Sequence, residues 1–370
     1  RLDPEVLDAM MPLLTEHFGN PGSSHSGGRP VAKAVHAARR AVADRFGLEP
    51  SEIVFLASAT EADNLALRGV ITACEGPRHL ITTAVEHPAV LDVARALESE
   101  GLCSLTVLGV DRDGQLSLDA LRKAIRPGDT KLVSIMGANN ETGVLFPIPE
   151  IASIVHDAGA LLHVDAVQLI GKVPPEWTRW PVDLFSLSAH KFHGPKGSGL
   201  MTAPKHVKLN PMVVGGGQER GLRSGTENPA GIVGISKALE LALDHSAEAL
   251  PPMAARRDRL AEGLRAQVEG LVVTGAGAAR NANTLHVTIA GVEAEPILVN
   301  LDREGIAVSA GSACSSGALK ASHVLEAMGL PKDRIHGVLR LSLSRETTDA
   351  DIDRVLEVLP PIVQRVRNLG

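Results

Sequence analysis

The chain of 370 residues has 44% hydrophobic residues, a formal net charge of −6 and a pI near 6.2. This length favours two domains, and the scattered basic residues exclude the concentrated positive surface of a nucleic-acid-binding or anionic-membrane-binding protein. Three irregularly spaced cysteines predict neither a disulfide framework nor a zinc site. With no stretch resembling a membrane span or a signal peptide, we expect a cytoplasmic protein.

Strand and helix patterns alternate through the first two thirds of the chain. Polar residues gather where the strands end, which is typical of an open, mostly parallel α/β sheet with its ligand site along that edge. The predicted strands are 53–56, 80–84, 105–108, 131–136, 161–164 and 184–187, and the predicted helices are 3–17, 30–46, 62–70, 89–100, 118–125, 148–158 and 230–244.

The pattern changes near residue 246, where long helices begin to alternate with fewer strands. This change predicts a smaller α+β domain, which the N-terminal helix is expected to join. We therefore expect a large domain at 16–245 and a small domain formed by 1–15 together with 246–370. The predicted elements of the C-terminal part are helices 253–268, 296–304 and 349–366 and strands 271–274, 284–289 and 338–343.

Two polar stretches between elements favour ligand binding. In Ala57–Asn64 a strand runs through small polar residues into a helix, whose free N–H groups suit an anion such as a phosphate. Plain N-capping by Ser58 or Thr60 is the alternative. The glycine-rich stretch 215–226 is too polar to be buried without partners, so it is predicted to be a functional loop.

Two charged residues follow apolar strands. Asp165 comes directly after 161–164, where an unpaired charge would be costly, so it needs a cation such as a protonated pyridine nitrogen. A salt bridge to an arginine is the alternative. Lys191 lies in the bend after the predicted strand 184–187, among serine, histidine and glycine residues. It is our candidate covalent catalytic residue. The alternative is a surface charge on a loop.

Three more residues have both a chemical and a structural interpretation. His87 ends a strand, where an imidazole can stack on a flat ring and move protons, or serve structure alone. Cys314 lies among small flexible residues, which suits a travelling nucleophile or an incidental surface thiol. Arg340 lies inside a strand pattern, where it can clamp a carboxylate or pair with a structural glutamate. The histidines lack metal-binding spacing, so no metal is expected.

Taken together, these residues resemble the pyridoxal-phosphate (PLP)-dependent cysteine desulfurases of the aminotransferase class V superfamily, specifically the NifS/IscS-like group. The resemblance covers essentially the whole chain. It rests on motifs that occur in order, namely Ala59-Thr60-Glu61 with Asn64, Glu86-His87 with Ala89 to Asp92, Asn139-Asn140-Glu141 with Gly143, His163 to Ala166 with Gln168, Ser188 to Lys191 with Gly194 to Gly197, Gly215 to Gly217 with Arg223 to Thr226, and Gly311 to Cys314.

The resemblance implies the type I fold of PLP-dependent transferases, with a mostly parallel seven-stranded sheet in the large domain and a smaller α+β C-terminal domain that carries the Cys314 loop. Lys191 would hold PLP covalently, Asp165 would pair with its pyridinium and His87 would stack on its ring. Arg340 and Asn140 would bind the substrate. The other implied cofactor contacts are Gln168 and Asn140 near the phenolic oxygen, Ala59, and Thr60, Ser188, His190 and Thr226 at the phosphate, with Thr226 from the other subunit of a homodimer.

The implied reaction converts L-cysteine to L-alanine and keeps the sulfur as a persulfide on Cys314 for an acceptor such as an iron–sulfur scaffold protein. A selenocysteine lyase or a class V aminotransferase would use the same scaffold, and a non-catalytic sulfur carrier is an alternative of a different class. The family's usual opening strand is missing before Arg1–Pro4, and the chain ends soon after its last predicted helix, which favours the NifS-like side of the group.

Overall fold

The structure, a computed structural model, describes residues 1–310 and 321–369. The chain divides into two compact units. The first comprises Arg1–Leu108, Leu118–Gly137 and Pro147–Ser246, and the second comprises Gly109–Ser117, Ala138–Phe146 and the described residues from Ala247 onward. The main division, after Ser246, lies beside the predicted boundary at 245/246.

The described strands of the first unit form one sheet of seven strands in the order β1-β7-β6-β5-β4-β2-β3. Every neighbouring pair is parallel except the two pairs that involve β7. The predicted α/β fold with a mostly parallel seven-stranded sheet is therefore confirmed. The strands are β1 Ile53–Leu56, β2 His79–Thr83, β3 Ser104–Leu108, β4 Thr130–Met136, β5 Leu161–Asp165, β6 Leu184–Ser188 and β7 Gly199–Thr202.

The helices of the first unit supply the apolar surfaces that cover the sheet. Because parallel strands are covered on both faces, the central strands β2, β4, β5 and β6 are buried along almost their whole length rather than at every second residue. Leu80, Leu132 and Leu184 are fully buried beside Leu65 and Val90 of two covering helices. The helices are α1 Pro4–Thr15, α2 Arg29–Phe46, α3 Ala59–Ala73, α4 Pro88–Ser99, α5 Leu118–Ala124, α6 Ile148–Asp157 and α7 Pro229–Asp244.

Strand β7 was absent from the sequence prediction. It is short and begins at Gly199, directly after Gly197 and Ser198, so the sequence has the composition of a turn. A Cβ at Gly199 would lie 2.5 Å from the carbonyl carbon of Ser58. Gly199 makes this segment resemble a turn in the sequence. It is nevertheless required in the strand, because the backbone just before α3 passes too close to Gly199 to leave room for a Cβ.

Helix α1 packs within the first unit, which differs from the predicted grouping of residues 1–15 with 246–370. Its buried residues Val6 and Met10 face α7, where a Cβ at Gly234 would lie 2.7 Å from Sδ of Met10. The N–H of Asp3 also donates to the carbonyl of His193 at 3.0 Å. The apolar periodicity of a helix reveals a buried face but not the element that covers it.

The second unit contains a three-stranded antiparallel sheet in the order β10-β9-β8, covered by helices. Fully buried residues such as Leu285, Ile297 and Leu359 form its core. No helix in the described part of the chain has the length and apolar character needed to cross a membrane. The elements are α8 Ser246–Gln267, β8 Leu271–Val273, β9 Thr284–Ile289, α9 Ala294–Arg303, α10 His323–Ala327, α11 Lys332–Ile335, β10 Val338–Ser342 and α12 Asp349–Leu369.

Candidate functional site

The C-terminal edge of the parallel strands carries most of the predicted site residues of the first unit. β5 ends at Asp165 and β6 ends at Ser188, and the pairing of these strands sets Asp165 opposite Ser186. His190 and Lys191 follow in a short 3-10 turn. Neighbouring strands thus bring the predicted carboxylate and the predicted covalent lysine to the same part of the sheet edge.

Asp165 is a buried carboxyl group, 8% exposed. Its Oδ1 accepts a hydrogen bond from the N–H of Val167 at 3.0 Å. Burial raises the pKa of Asp165 to about 6, because the charged form loses its hydration. That hydrogen bond and the charges of Lys172 and Lys191 act in the opposite direction. The electrostatic partners of Asp165 in the first unit therefore include the lysine predicted to be catalytic.

The turn after β6 is fixed by its backbone. The N–H of Ala189 donates to the backbone carbonyl of Ser198 at 3.0 Å, and the carbonyl of Ala189 accepts from the N–H of Gly194 at 2.9 Å. Lys191 is exposed at the end of this turn. Burial lowers the pKa of His190, and nearby lysine charges, first that of Lys191, lower it further. Oγ of Ser188 lies 3.0 Å from Nδ1 of His190. The turn therefore holds a hydroxyl group, an imidazole that favours its neutral form and the amine of Lys191 close together.

His87 is the N-cap residue of α4 and is half-buried. Its Nδ1 accepts a hydrogen bond from the N–H of Ala89 at 3.1 Å. The neutral imidazole consequently carries its proton on Nε2. Because capping uses only Nδ1, the structural and the chemical interpretations of His87 are compatible.

Helix α3 begins at Ala59, three residues earlier than predicted. Oγ of Ser58 accepts from the N–H of Glu61 at 3.1 Å, so Ser58 is the N-cap, which was the structural alternative for this stretch. Thr60 lies exposed in the first turn, and Ala59 is buried. The hydroxyl of Thr60 therefore stands at a helix N-terminus, where the helix dipole favours an anion.

Two more predicted residues lie on loops of the first unit. Gln168 is half-buried in the turn after β5, and its Oε1 accepts from Nζ of Lys172 at 2.7 Å. Its amide nitrogen is the end of the side chain that can donate to a ligand. Thr226 is exposed at the end of the glycine-rich loop, beside a cavity of about 230 Å³ that Ser198 and Ile232 also line.

Asn140 and Arg340 lie in the second unit and contact each other. Nη1 of Arg340 donates to the backbone carbonyl of Asn140 at 2.9 Å. Oδ1 of Asn140 is buried and has no hydrogen-bond partner among the described residues. A buried carbonyl oxygen without a donor is costly, and a ligand that donates would satisfy it.

Cys314 lies outside the described residues, but the residues on both sides of that stretch are anchored. The N–H of Arg340 donates to the carbonyl of Ser309 at 2.7 Å. Oγ of Ser322 donates to Oε2 of Glu141 at 2.6 Å. Both anchors therefore lie next to the contact between Arg340 and Asn140. The other cysteines, Cys74 and Cys103, pack against the apolar core of the first unit, as predicted.

Two buried acids near Asp165, Asp63 and Glu86, were not among the predicted site residues. Asp63 of α3 is 1% exposed, and its Oδ1 lies 3.5 Å from Nε2 of His163. Burial raises the pKa of Asp63 well above its usual value, and the Asp165 charge raises it further. Burial also raises the pKa of Glu86 to about 8. An acid among the apolar residues of a predicted helix was the signal that identifies Asp63.

His163 lies on the same face of β5 as Asp165, two residues earlier. Its Nδ1 lies 2.8 Å from Oγ of Ser134, and its Nε2 lies 2.8 Å from Oγ of Ser186. Burial lowers the pKa of His163 to about 3, so the ring is neutral. A polar row therefore crosses β4, β5 and β6 beneath the site edge, with Asp63 reaching it from α3.

The whole chain has close relatives. The Aminotransferase class-V family model matches residues 1–355. A cysteine desulfurase from Trichormus azollae is 48% identical over 370 residues, which cover 100% of this chain and 92% of the relative. The cysteine desulfurase NifS of Azotobacter vinelandii is 44% identical over 371 residues, with the same coverage of 100% and 92%.

A solved structure named NifS-like protein superposes with a TM-score of 0.91 at 38% identity, covering 99% of this chain and 97% of that chain. Family, sequence and fold thus agree over essentially the full length. The chain belongs to the aminotransferase class V family and, within it, to the NifS/IscS-like group of cysteine desulfurases.

Proposed function

We propose that the protein is a PLP-dependent cysteine desulfurase that converts L-cysteine to L-alanine and retains the sulfur as a persulfide on Cys314. The observation that carries this proposal is the buried carboxyl group of Asp165 at the end of β5, within the electrostatic influence of Lys191 at the end of the neighbouring strand. Membership of the family supplies the reaction type.

The residues around Asp165 fit the pyridine end of PLP. A carboxyl group that is 8% exposed, with a pKa raised to about 6, is stabilised as a carboxylate by a cation that reaches it inside the protein. A protonated pyridine nitrogen is such a cation. In this proposal Asp165 pairs with the nitrogen, while Gln168 lies near the phenolic oxygen and His87 lies against the ring.

The turn after β6 and the start of α3 fit the phosphate end. Helix α3 provides a capped N-terminus with Ala59 and the exposed Thr60, and Ser188 and His190 add polar groups at the end of β6. The lysine charges that lower the pKa of His190 also favour a bound anion here. Thr226 would complete the phosphate site of the other subunit in a homodimer.

When bound, PLP stabilises the negative charge that develops at the substrate Cα after the proton leaves. Lys191 would hold the cofactor and then, once the substrate has displaced its amine, remove the Cα proton. Nε2 of His87, which carries the proton in the neutral ring, is the group that would help return protons to the substrate. Arg340 would orient the substrate through its carboxylate, with Asn140 as a second contact.

Sulfur transfer needs a thiolate on Cys314. Its Sγ would attack the substrate sulfur, so that a sulfur–sulfur bond forms while the bond between the substrate Cβ and its sulfur breaks. The electron pair of the broken bond stays on the substrate carbon skeleton, which takes up protons to become alanine. A protein thiol and cysteine thus give a protein persulfide and alanine, a balance that needs no external oxidant.

The persulfide sulfur would then pass to an acceptor, for which an iron–sulfur scaffold protein is the proposed class. Three irregularly spaced cysteines suit a reducing compartment, and we propose a cytoplasmic location on that basis.

The test is to incubate the PLP-loaded protein with L-cysteine and a reductant and to measure alanine and sulfide. Equal amounts of both are expected from the wild type, and Cys314→Ser should abolish sulfide release. If Cys314→Ser released sulfide at the wild-type rate, the persulfide route would be wrong.

Formation of a keto acid instead would indicate an aminotransferase, and turnover of selenocysteine alone would indicate a selenocysteine lyase. A Lys191→Ala variant as active as the wild type would contradict the assigned covalent residue.

A further inference from the structure

The loop that ends at Thr226 contains two non-glycine residues with left-handed backbone geometry. Glu219 has a φ of 49° and Arg220 has a φ of 59°. This geometry is unfavourable for residues with a Cβ, and it persists only where surrounding contacts hold it. The contacts of Glu219 therefore identify what fixes the loop.

Glu219 is held by both ends of one guanidinium. Its Oε2 accepts from Nη1 of Arg39 at 2.8 Å, and its Oε1 accepts from Nη2 of Arg39 at 2.6 Å. The N–H of Phe55 also donates to Oε2 at 3.2 Å. The Glu219 side chain is only 3% exposed and that of Arg39 is 15% exposed, so this bidentate pair is shielded from solvent.

Arg39 is itself fixed to the body of the first unit. It lies on α2, and its Nη1 also donates to the carbonyl of Ile53 at 2.6 Å. Its guanidinium carbon stands 4.8 Å from the ring centre of Phe55. Because Ile53 and Phe55 belong to the edge strand β1, the pair joins the loop to the sheet and to α2 at once.

Residues close to Glu219 in the loop make hydrogen bonds that hold the end of the loop. Oε1 of Gln218 accepts from the N–H of Gly225 at 2.9 Å, directly before Thr226. Nε of Arg223 donates to Oε1 of Glu61 at 2.9 Å, beside Thr60 at the start of α3. Nη2 of Arg39 also donates to Oε1 of Glu227 at 3.4 Å, so the guanidinium that holds Glu219 also contacts the residue directly after Thr226.

We propose that Arg39 and Glu219 are positioning residues that preset the loop so that Thr226 reaches the cofactor phosphate in the partner subunit. This inference rests on the proposed function, in which Thr226 acts across a homodimer. The predicted effect has a direction between the subunits: damage to the pair in one subunit weakens PLP binding in the other subunit. A pair that served only the stability of its own subunit would have no such directional effect.

Hybrid dimers, purified through two different tags, test this direction. Lys191→Ala in one subunit leaves a single site that can hold PLP covalently and give its visible absorbance. In the first hybrid, Glu219→Gln is placed in the subunit that keeps Lys191. In the second hybrid, Glu219→Gln is placed in the Lys191→Ala subunit. PLP is titrated into each apo hybrid, and the apparent Kd is read from the absorbance.

We expect the second hybrid to bind PLP about 10- to 100-fold more weakly than the first, as expected for the loss of a hydrogen bond to a charged group. The first hybrid should match a hybrid with Lys191→Ala alone. Equal affinities in the two hybrids, or a weaker first hybrid, would overturn the inference. Arg39→Lys, which retains the charge but not the bidentate geometry, is the second variant and should behave like Glu219→Gln.

Two controls separate the possible failures. Thr226→Ala hybrids test the proposed function itself. If they show the directional effect and the Glu219→Gln hybrids do not, only the role of the pair is wrong; if neither shows it, the assignment of Thr226 is wrong.

Asp244→Asn breaks a matched bidentate pair, because Arg45 on the same helix α2 contacts Asp244 at 2.6 and 2.9 Å, but on the exposed surface. It should leave PLP affinity unchanged.

Discussion

Nη1 of Arg340 donates a hydrogen bond to the backbone carbonyl of Asn140 at 2.9 Å, which joins residues 200 positions apart in the chain. Arg340 is also fixed by its backbone, since β10 sets it opposite His286 on one side and pairs it with Ser309 on the other. An arginine restrained in this way loses little further freedom when it binds a carboxylate. The arrangement is therefore compatible with the proposed role of Arg340 in substrate binding.

Arg340→Lys should raise the KM for L-cysteine about 10- to 100-fold and change kcat much less, because a lysine retains the charge but not two parallel hydrogen bonds. Steady-state alanine formation at several cysteine concentrations measures both constants. Arg354→Lys, at a largely exposed ion pair on α12, is the matched control and should leave KM unchanged. An unchanged KM in Arg340→Lys would show that Arg340 does not bind the substrate carboxylate.

Asp165 predicts a specific pH dependence of the apo protein. Burial raises its pKa from 3.8 to about 6, so the folded protein binds this proton more tightly than the unfolded chain does. Stability relative to Asp165→Asn should consequently fall as the pH rises through this window, by up to about 1.4 kcal/mol per pH unit. Urea unfolding of both apo proteins between pH 4 and 7 measures the difference.

Saturating PLP should reduce this loss, because a bound pyridinium favours the ionised carboxylate. The Asp157→Asn variant, which removes an exposed carboxyl group at the end of α6, should not show the pH-dependent difference. If apo Asp165→Asn and apo wild type differed by a constant amount at every pH, the account of Asp165 as a desolvated carboxyl group would be refuted.

His163 predicts the opposite pH dependence. Burial lowers its pKa from 6.5 to about 3, so the unfolded chain takes up this proton first as the pH falls. The stabilising contribution of the neutral ring is present above pH 6.5 and is lost in acid, by up to about 1.4 kcal/mol per pH unit. The stability advantage of the wild type over His163→Gln should therefore shrink between pH 6.5 and 4.

Thermal or urea unfolding across this range provides the measurement. His245→Gln, at an exposed position after α7, is the matched control and should leave the acid sensitivity of the wild type intact. An advantage over His163→Gln that grew in acid would mean that the buried ring is protonated.

The repeating elements of the fold could be predicted from the sequence because apolar runs and helical spacings reveal burial. Two errors of the sequence-based prediction, at β7 and at the start of α8, have physical reasons. β7 starts at a glycine that the neighbouring Ser58 requires, so its composition resembles a turn. Helix α8 begins at Ser246 and runs through Pro251 and Pro252, because the burial of Leu250 and Met253 in the second unit outweighs the low helix propensity of proline.

The candidate site was predictable where a chemical residue ends an apolar strand, as Asp165 does, or follows one closely, as Lys191 does. Interactions between distant residues were not predictable. The contacts of Arg39 with Glu219 and of Asp63 with His163 join residues 180 and 100 positions apart, and no local pattern shows which two residues meet. Cys314 lies outside the described residues, so its role remains a prediction from the sequence.

The most direct test of the persulfide mechanism is mass spectrometry of the peptide that contains Cys314, after the PLP-loaded protein has been incubated with L-cysteine without reductant. This mechanism requires one added sulfur atom on Cys314, in an amount that matches the first turnover of alanine, and none on Cys74 or Cys103. Alanine formation with no added sulfur on Cys314 would contradict it.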